Sequence, residues 1–448
     1  MRRVLGLADL ILLGTVAIVN VNTVPPVARF GRATLLLWVV AWATFFVPTA
    51  VATLVFSRRY PGEGGVYLWA ERRFGPLHGF IAGWCYWTNN LFYVPVLLVY
   101  LAGVAAYVGG DATAPLVDNR AFVALVAFGW LALITVANVR GLATGKWINN
   151  VGGVGSIATV MLLVIAAAIA RARGVSVSPP MTDGTLLEMT SGLSVMCFAF
   201  IGIELASTMA DEIRNPARDV PRSISIIGAI AMLSYVAVTD ALFALVPADD
   251  IGAIQGVMQA VDRGADTAGA PWLVPFVAIV MSLAIGGAAS AWFAGPARIP
   301  FVAGLKSALP GALARVHPQW GSPHIALITC AVISAALLTL SMIGADVVEA
   351  YQILLSATVV INLIPFVYIF VALLTLDGAT SLQRAAGAVG TVVSVAGIAA
   401  AFQAGDDVSS VLVYELKMTA GVLAPLAFGV WLFTRSRRQA AQSLPNPQ

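Results

Sequence analysis

Twelve long runs of apolar residues divide this 448-residue chain, and they restrict its fold more than any other feature. Only a helix or a closed barrel satisfies its own backbone hydrogen bonds in lipid, and a helix of about 20 residues crosses the hydrocarbon core. The runs, numbered as spans 1 to 12, are Val4–Val27, Ala33–Phe56, Phe80–Val108, Ala121–Val139, Ile148–Ala170, Leu186–Ala210, Ile224–Val246, Trp272–Val302, Ile325–Ile343, Ile353–Leu376, Ala385–Ala404 and Val411–Phe433. They predict an all-α membrane protein with twelve transmembrane helices.

The composition excludes an ordinary soluble protein of this length. Hydrophobic residues make up 59% of the chain and charged residues only 10%, and the mean hydropathy is +0.89. Because water must solvate the surface of a globular protein, so apolar a chain is expected to expose most of its surface to lipid. The longest loop, roughly Pro247 to Pro271, is too short for a core of its own. Residues 1–448 are therefore predicted to form one transmembrane domain.

Basic residues predict the orientation in the membrane, because cytoplasmic loops are enriched in lysine and arginine. With twelve spans both termini lie on one side, and the loops and termini of that side carry 18 of the 25 Lys and Arg residues. Both termini are therefore predicted to be cytoplasmic, in a protein of the cell membrane, meaning the plasma or inner membrane. The net charge of +3 follows from this topology, so no nucleic-acid partner is predicted.

The cysteines and histidines give no sign of a metal centre or a nucleophile. The cysteines lie inside spans, where a thiol packs as a small apolar group, and the histidines lie near predicted interfaces without metal-ligand spacing. These residues are Cys85, Cys197, Cys330, His78, His317 and His324. Neither H-E-x-x-H nor G-x-S-x-G occurs in the sequence, so an intramembrane enzyme is not predicted, and neither is a bound metal or cofactor.

Span 1 contains the first irregularity, Gly14-Thr15 followed by Ile18-Val19-Asn20-Val21-Asn22-Thr23-Val24-Pro25-Pro26. Proline removes a backbone donor and clashes with the preceding turn, so the helix is predicted to break or kink near Asn20 to Asn22. The half-helix end that results can hold a charged group of a ligand. The alternative is that the prolines only end the helix at the outer face of the membrane.

Spans 6 and 7 each place an acid within an apolar run. Glu204 follows Gly202 in the run Phe198-Ala199-Phe200-Ile201-Gly202-Ile203-Glu204, and Asp240 lies in span 7. A carboxylate is costly in the membrane and is usually kept for function, so both acids are candidates for coupling or gating. The alternatives are a protonated Glu204 that hydrogen-bonds a neighbouring helix or a broken backbone, and an Asp240 that lies near the outer end in contact with water.

Spans 3 and 8 carry further polar and aromatic candidates. Asn89 and Asn90 are adjacent in span 3, so they cannot point in the same direction on a helix, and at least one is predicted to face the bundle interior. An amide there either binds a ligand or bridges helices. In span 8, Trp292 offers an aromatic face to a cationic or apolar group. It lies near Gly286 and Gly287, which favour close helix packing.

Two loops link these features to a known family. After span 2 comes Pro61-Gly62-Glu63-Gly64-Gly65-Val66-Tyr67, leading to Phe74-Gly75-Pro76, and after span 6 comes Asp211-Glu212-Ile213-Arg214-Asn215-Pro216-Ala217-Arg218-Asp219-Val220-Pro221-Arg222. Together with the F-I-G-I-E run of span 6, they resemble the amino acid, polyamine and organocation (APC) permease family over spans 1 to 10. The resemblance implies a five-plus-five inverted repeat, with residues of about 4–170 set against about 186–376 and two extra helices over about 385–433. It also implies that spans 1 and 6 are broken at a midplane ligand site.

The resemblance further implies which residues form that site. Family members usually carry a glycine triad in span 1, and this chain has Ile18, Val19 and Asn20 at the matching positions. The triad is therefore absent, and Asn20 is expected to supply an amide donor for the substrate carboxylate in its place. The candidate substrate-binding residues are Thr15, Ile18, Val19, Asn20, Asn22, Asn89, Asn90, Tyr93, Phe198, Ala199, Ile201 and Trp292, and the candidate coupling or gating residues are Glu204 and Asp240. The lysine that many members carry in span 5 matches Ser156, which gives no support to a lysine-based proton mechanism. The run from Trp292 to Arg298 looks more like the glutamate/GABA antiporter branch of the family than like its cationic amino acid branches.

What the resemblance implies is a secondary active transporter of amino acids, working by proton symport or substrate exchange through alternating access. Its partners would be a small-molecule substrate and membrane lipid. A carrier of polyamines or other organic amines is the main alternative, since Glu204 and Asp240 supply acids for such a ligand. A channel or a transport-defective sensor with the same bundle is a further one. The sequence indicates no oligomeric state.

Overall fold

The computed structural model describes residues 5–28, 30–60, 64–174, 186–247, 250–297, 299, 309–342, 347–403 and 411–442. Within these ranges the regular structure is helical, apart from an isolated β-bridge between Leu5 and Ile213. Parts of the two loop motifs lie outside the described residues, namely Pro61, Gly62, Glu63 and the side chains of Asp211 and Glu212, and so does Arg298 at the end of span 8.

The main helices follow one another through mostly short connections. They are α1 (Leu7–Ile18), α2 (Ala33–Arg59), α3 (Val66–Phe74), α4 (Pro76–Ala105), α5 (Arg120–Val139), α6 (Leu142–Ala172), α7 (Leu186–Ala199), α8 (Pro216–Leu245), α9 (Gly256–Ala268), α10 (Leu273–Ala294), α11 (His324–Ser341), α12 (Val347–Leu374), α13 (Ser381–Ala400) and α14 (Val411–Gln442). Shorter helical segments are Val21–Thr23, Pro25–Ala28, Ala106–Ala112, Ala114–Asp118, Ile203–Glu212 and Gly311–Ala314. Helix α2 includes a π-helical segment, Trp42–Phe46.

Nine of the described helices are long and apolar enough to cross a membrane: α2, α4, α5, α6, α8, α10, α12, α13 and α14. Three shorter apolar helices lie at Leu7–Thr23, Gly192–Ser207 and His324–Leu340, inside predicted spans 1, 6 and 9. Several helices turn large apolar side chains outward, such as Leu125 at 75% exposure and Leu233 at 70%. A surface of this kind suits lipid, because lipid tails solvate apolar side chains.

Two amphipathic helices were not predicted, because both lie in loops between spans and neither is an apolar run of membrane length. Helix α3 buries Tyr67 and Trp69 on one side and carries Arg72 and Arg73 in its last turn. Helix α9 lies in the long loop between spans 7 and 8 and buries one face against α6 and α10. Both therefore pack along the bundle and do not cross it.

Helices α6 and α10 approach each other closely where two glycines meet. A Cβ atom added to Gly152 would lie 2.6 Å from Gly287 Cα, and one added to Gly287 would lie 2.5 Å from Gly152 Cα. Small residues at a crossing let two backbones come into contact, which is how membrane helices gain packing energy. The contact holds α10, which carries Trp292, beside the interior of the bundle.

Replacing Gly152 with valine is expected to weaken the fold, because the added side chain meets backbone that cannot retreat. Overpacking of this kind lowers the free energy of unfolding by about 1–3 kcal/mol. Thermal unfolding of the purified protein in detergent measures the effect. The matched control is Gly129→Val on α5, where no atom lies within 4 Å of the added Cβ. Equal melting temperatures for the two variants would contradict the close contact between α6 and α10 at Gly152 and Gly287.

Candidate substrate site

Helix α1 ends in the middle of span 1, as predicted. Val19 and Asn20 leave the helical conformation, with Asn20 extended at φ −101° and ψ 92°, before the 3₁₀ turn Val21–Thr23. Two local hydrogen bonds favour this break: Asn20 Nδ2 donates to Ala17 O at 2.6 Å, and Thr23 Oγ1 donates to Asn20 O at 2.7 Å. Short polar side chains that bond the backbone in this way compete with the helical pattern, so the break follows from the sequence itself.

Span 6 is also broken, at a position that corresponds to the break in span 1. Helix α7 ends at Ala199, and the 3₁₀ segment Ile203–Glu212 follows a turn that contains Gly202. Gly202 has φ +140°, a conformation that other residues rarely adopt. A Cβ on Gly202 would also lie 2.9 Å from the Ile18 side chain and 3.2 Å from Ala17 Cβ. Glycine therefore allows both the turn and the direct contact between the two breaks.

Glu204 stabilises the break in span 6 and is fully buried. Its Oε2 atom accepts the Gly202 N–H at 3.0 Å, and its Oε1 atom accepts the Tyr86 hydroxyl of α4 at 2.8 Å. No described Lys or Arg forms an ion pair with this carboxylate. Glu204 thus joins the broken backbone to α4, which is the hydrogen-bonded arrangement weighed as an alternative from the sequence.

Tyr235 of α8 joins the two breaks to each other, and it was not predicted, because a tyrosine in an apolar span is an ordinary packing residue in the sequence. Its hydroxyl contacts Ile18 O as a donor and also donates to Ala199 O at 3.0 Å, so its single proton is shared between the two helix ends. The same oxygen accepts the Asn20 N–H at 3.4 Å. The ring is buried and stacks on Trp38 with 4.2 Å between ring centres. The hydroxyl therefore joins the ends of the two broken helices. Ile18 O and the Asn20 N–H also bond each other at 2.7 Å, whereas the Ala199 carbonyl takes its hydrogen bond from Tyr235.

Four aromatic side chains pack against one another beside these breaks; they are called the aromatic box below and are Tyr86, Tyr93, Phe198 and Trp292. The Tyr93 ring lies edge-on to Phe198 at 5.0 Å and to Trp292 at 5.7 Å, and Tyr86 lies 6.5 Å from Trp292. Trp292 Nε1 donates to Ala17 O at 3.0 Å, so the indole is fixed to the end of α1. Aromatic faces arranged in this way can hold an ammonium group.

The remaining candidates of span 1 lie around the same break. Thr15 is fully buried, and its hydroxyl has no hydrogen-bond partner. Asn22 donates to the Tyr351 hydroxyl of α12 at 3.4 Å. The stretch Val19–Asn22 lines a small cavity together with Ser156, Thr159, Ala284 and Ile285. The cavity has room for about one water molecule.

The candidates of spans 3 and 6 also lie at this level. Asn89 is fully buried and neither of its polar side-chain atoms has a partner, whereas Asn90 Nδ2 donates to Tyr86 O at 2.7 Å. Ala199 and Ile201 form the turn in span 6, and both are buried. Of the predicted substrate-binding residues, those of spans 1, 3, 6 and 8 are therefore brought together.

Asp240 is the exception among the candidates. It lies five residues beyond Tyr235 in α8, and its carboxylate forms a two-pronged ion pair with Arg171 at the end of α6, both N–O distances being 2.9 Å. The side chains are 48% and 46% exposed. Asp240 thus lies in an exposed ion pair near the C-terminal end of α8, away from the breaks.

Comparisons with known proteins agree with this geometry. A family model described as amino acid permease matches residues 5–422. An uncharacterized transporter of Legionella pneumophila is 25% identical over 97% of this chain and 97% of its own length. The branched-chain amino acid permease BcaP of Bacillus subtilis is 27% identical over 73% of this chain and 72% of its own length. The low-affinity putrescine importer PlaP of Escherichia coli is 26% identical over 70% and 68%.

The family match extends from the start of the described chain into α14, so it includes both helix breaks and the aromatic box. It confirms the APC resemblance that rests on the two loop motifs, and it agrees with the apolar helices in making this an integral membrane protein with a transport function. The chain belongs to the amino acid permease family of the APC superfamily.

Proposed function

We propose that this protein is a secondary active transporter of amino acids that works by alternating access, either as a proton symporter or as an exchanger. The observation that carries the proposal is the meeting of two broken helices beside the aromatic box, deep within the bundle. Backbone groups freed by breaks of this kind bind charged substrate groups in transporters. The identity of the family supports the same conclusion.

The proposed architecture is a five-plus-five inverted repeat. The first half runs from α1 to α6 over spans 1–5, and the second from α7 to α12 over spans 6–10, while α13 and α14 are additional. The first span of each half is the broken one. This supports the repeat, because in transporters built from inverted repeats the substrate binds between broken helices at corresponding positions of the two halves. We place both termini in the cytoplasm and the protein in the cell membrane, on the distribution of Lys and Arg between its loops.

In the proposed binding mode the substrate replaces contacts that the protein makes with itself. The Ala199 carbonyl accepts from Tyr235, and the Ala17 carbonyl accepts from Trp292. An ammonium group that takes the Ala199 carbonyl, with the faces of Phe198 and Tyr93 around it, would release the Tyr235 hydroxyl. The substrate carboxylate would lie at the span 1 break near Asn20. Binding and opening of the breaks are coupled in this scheme, because both use the same carbonyls.

Glu204 is the proposed coupling residue. Its two oxygens hold the span 6 break and the Tyr86 hydroxyl, so a change in its proton alters the hydrogen bonds that fix the break. Asp240 is the second candidate, but its exposed ion pair with Arg171 lies away from the breaks. Exchange without proton movement is the remaining mode, and it needs neither acid.

A polyamine or other organic amine is the alternative substrate, and the similarity to a putrescine importer favours it. Such a ligand lacks a carboxylate and needs acids at both ends, whereas Glu204 is the single acid placed at the breaks among the described residues. This favours an amino acid. A channel or a sensor without coupled transport is a weaker alternative, since neither function requires two broken helices that meet at a substrate site.

Purified protein in proteoliposomes, tested with radiolabelled amino acids and polyamines, separates these functions. We expect saturable uptake or counterflow of at least one amino acid. Saturable flux of polyamines alone would establish the alternative substrate, and flux that rises linearly with concentration would indicate a channel. No concentrative or exchange flux of any compound would overturn the transporter proposal for this chain.

A further inference from the structure

Two asparagines inside the bundle have no hydrogen-bond partner for either of their polar side-chain atoms. They are Asn89 on α4 and Asn362 on α12, and both are fully buried. Other buried asparagines have partners: Asn138 donates to Ile134 O and Ser290 Oγ, and Asn20 donates to Ala17 O. An amide buried without partners is costly, and such groups in native proteins need an explanation.

The two amides lie at the same level of neighbouring helices. Helices α4 and α12 run antiparallel, because the Tyr100 and Tyr351 rings lie 6.2 Å apart at one end and His78 Nδ1 lies 3.2 Å from the Tyr368 hydroxyl at the other. Asn89 precedes Tyr100 by about three helical turns, and Asn362 follows Tyr351 by about three turns. Each amide therefore shares a helix face with its tyrosine, and the paired tyrosines bring these two faces together.

The pair adjoins the aromatic box. Asn89 lies three residues after Tyr86 and four before Tyr93, so all three side chains leave the same side of α4. Tyr86 and Tyr93 pack against Trp292, which itself bonds the end of α1. A substrate held at the breaks by its ammonium and carboxylate groups would thus extend its side chain toward Asn89 and Asn362.

The charges of the described residues show what kind of side chain this space suits. Asp9 is paired with Lys146 and Asn150 at the start of α1, Asp240 is paired with Arg171, and both oxygens of Glu204 are in use. Two amides offer donors and acceptors together and carry no charge. A cationic or anionic group would lack a counter-charge there, and an apolar group would leave the amides unsatisfied.

We propose that Asn89 and Asn362 form a side-chain subsite that selects amino acids with an uncharged amide or hydroxyl side chain, such as glutamine, asparagine, serine or threonine. The inference rests on the proposed function and names its substrate class. It sets this chain apart from a carrier of branched-chain amino acids, whose side chains offer no hydrogen bond, and from a carrier of putrescine, whose second amine is charged.

The first test is a competition panel in proteoliposomes that contain the full chain. Glutamine, asparagine, serine and threonine are expected to support counterflow with KM values about tenfold or more below those of leucine, valine, glutamate and putrescine. A preference for leucine, glutamate or putrescine would overturn the subsite while leaving a transporter. Absence of flux for the whole panel would overturn the proposed function as well, so the two failures are distinguishable.

The second test uses Asn362→Leu and Asn89→Leu, which keep the side-chain volume and remove the amide. Each should raise the KM for glutamine about tenfold and should narrow or reverse the preference over leucine. Because the amides lack partners in the protein, each change should leave the melting temperature equal or higher. Asn138→Leu is the matched control, since it removes an amide with two partners and should lower the melting temperature without altering the preference.

These two readouts separate binding from structure. A lowered melting temperature for Asn362→Leu with an unchanged preference would mean that the amides support the fold, and the proposal would be wrong. An equal loss of glutamine and leucine transport in a stable variant would also contradict it, because a side-chain subsite affects only the substrates that use it.

Discussion

Replacing Tyr235 with phenylalanine is expected to abolish most transport while the helix bundle stays folded. The change deletes the oxygen that contacts Ile18 O, Ala199 O and the Asn20 N–H. Ile18 O and the Asn20 N–H keep their own hydrogen bond at 2.7 Å, so the Ala199 carbonyl is the group that loses its partner. Each buried group left without a partner costs about 1–3 kcal/mol, which is roughly a 5- to 150-fold change in an equilibrium. The empty, closed arrangement of the breaks should lose that factor, and Vmax for uptake should fall by a similar one, because the unloaded carrier passes through this arrangement in every cycle. The KM should not rise, since the Ala199 carbonyl is then free for the substrate ammonium group.

The matched control for this change is Tyr414→Phe. Tyr414 is also buried, and its hydroxyl donates to Ser356 Oγ at 2.8 Å between α14 and α12, away from the breaks. It should lower the melting temperature about as much as Tyr235→Phe and leave transport near the wild-type rate. If both variants transport normally, the Tyr235 hydroxyl is a packing contact, and the proposed exchange of the Ala199 carbonyl between Tyr235 and the substrate is wrong.

The parts of this fold that depend on neighbouring residues in the chain could be predicted from the sequence. The apolar runs of the sequence correctly predict the apolar helices, because the length and the hydropathy of a segment depend only on its own residues. The break in span 1 is local too, since Asn20 and Thr23 bond their own turn, and the turn in span 6 requires Gly202. Helices α3 and α9 were missed because short amphipathic segments lack the length signal of a span.

The contacts that define the site could not be predicted in the same way, because they join residues far apart in the chain. Tyr235 bonds Ile18, and Tyr86 bonds Glu204, through helix neighbours that one sequence does not specify. Asn362 could have been noticed as a lone amide in an apolar span, but its alignment with Asn89 depends on the register of α4 and α12. Hydropathy also does not show whether Asp240 is buried, and the structure places it in an exposed ion pair with Arg171.

Changing Glu204 to glutamine is expected to remove the pH dependence of transport and leave the structure intact. Glutamine can keep both hydrogen bonds of the carboxylate: its oxygen accepts the Gly202 N–H, and its amide donates to a Tyr86 hydroxyl that has rotated. The variant therefore lacks only the group that takes up and releases a proton. Uptake driven by a pH gradient should fall about tenfold or more, while exchange at equal pH on both sides should persist.

Asp240→Asn provides the comparison, because it makes the same chemical change in the other candidate coupling residue. Its exposed ion pair with Arg171 contributes about 0–1 kcal/mol, so the fold should tolerate its loss and pH-driven uptake should remain. Loss of pH-driven uptake in Asp240→Asn but not in Glu204→Gln would mean that the coupling site is Asp240, near the C-terminal end of α8. If Glu204→Gln keeps the wild-type pH profile, Glu204 only supports the span 6 break. If wild-type uptake itself ignores the pH gradient, the protein is an exchanger, and Glu204 then acts through the Gly202 and Tyr86 contacts that close the site.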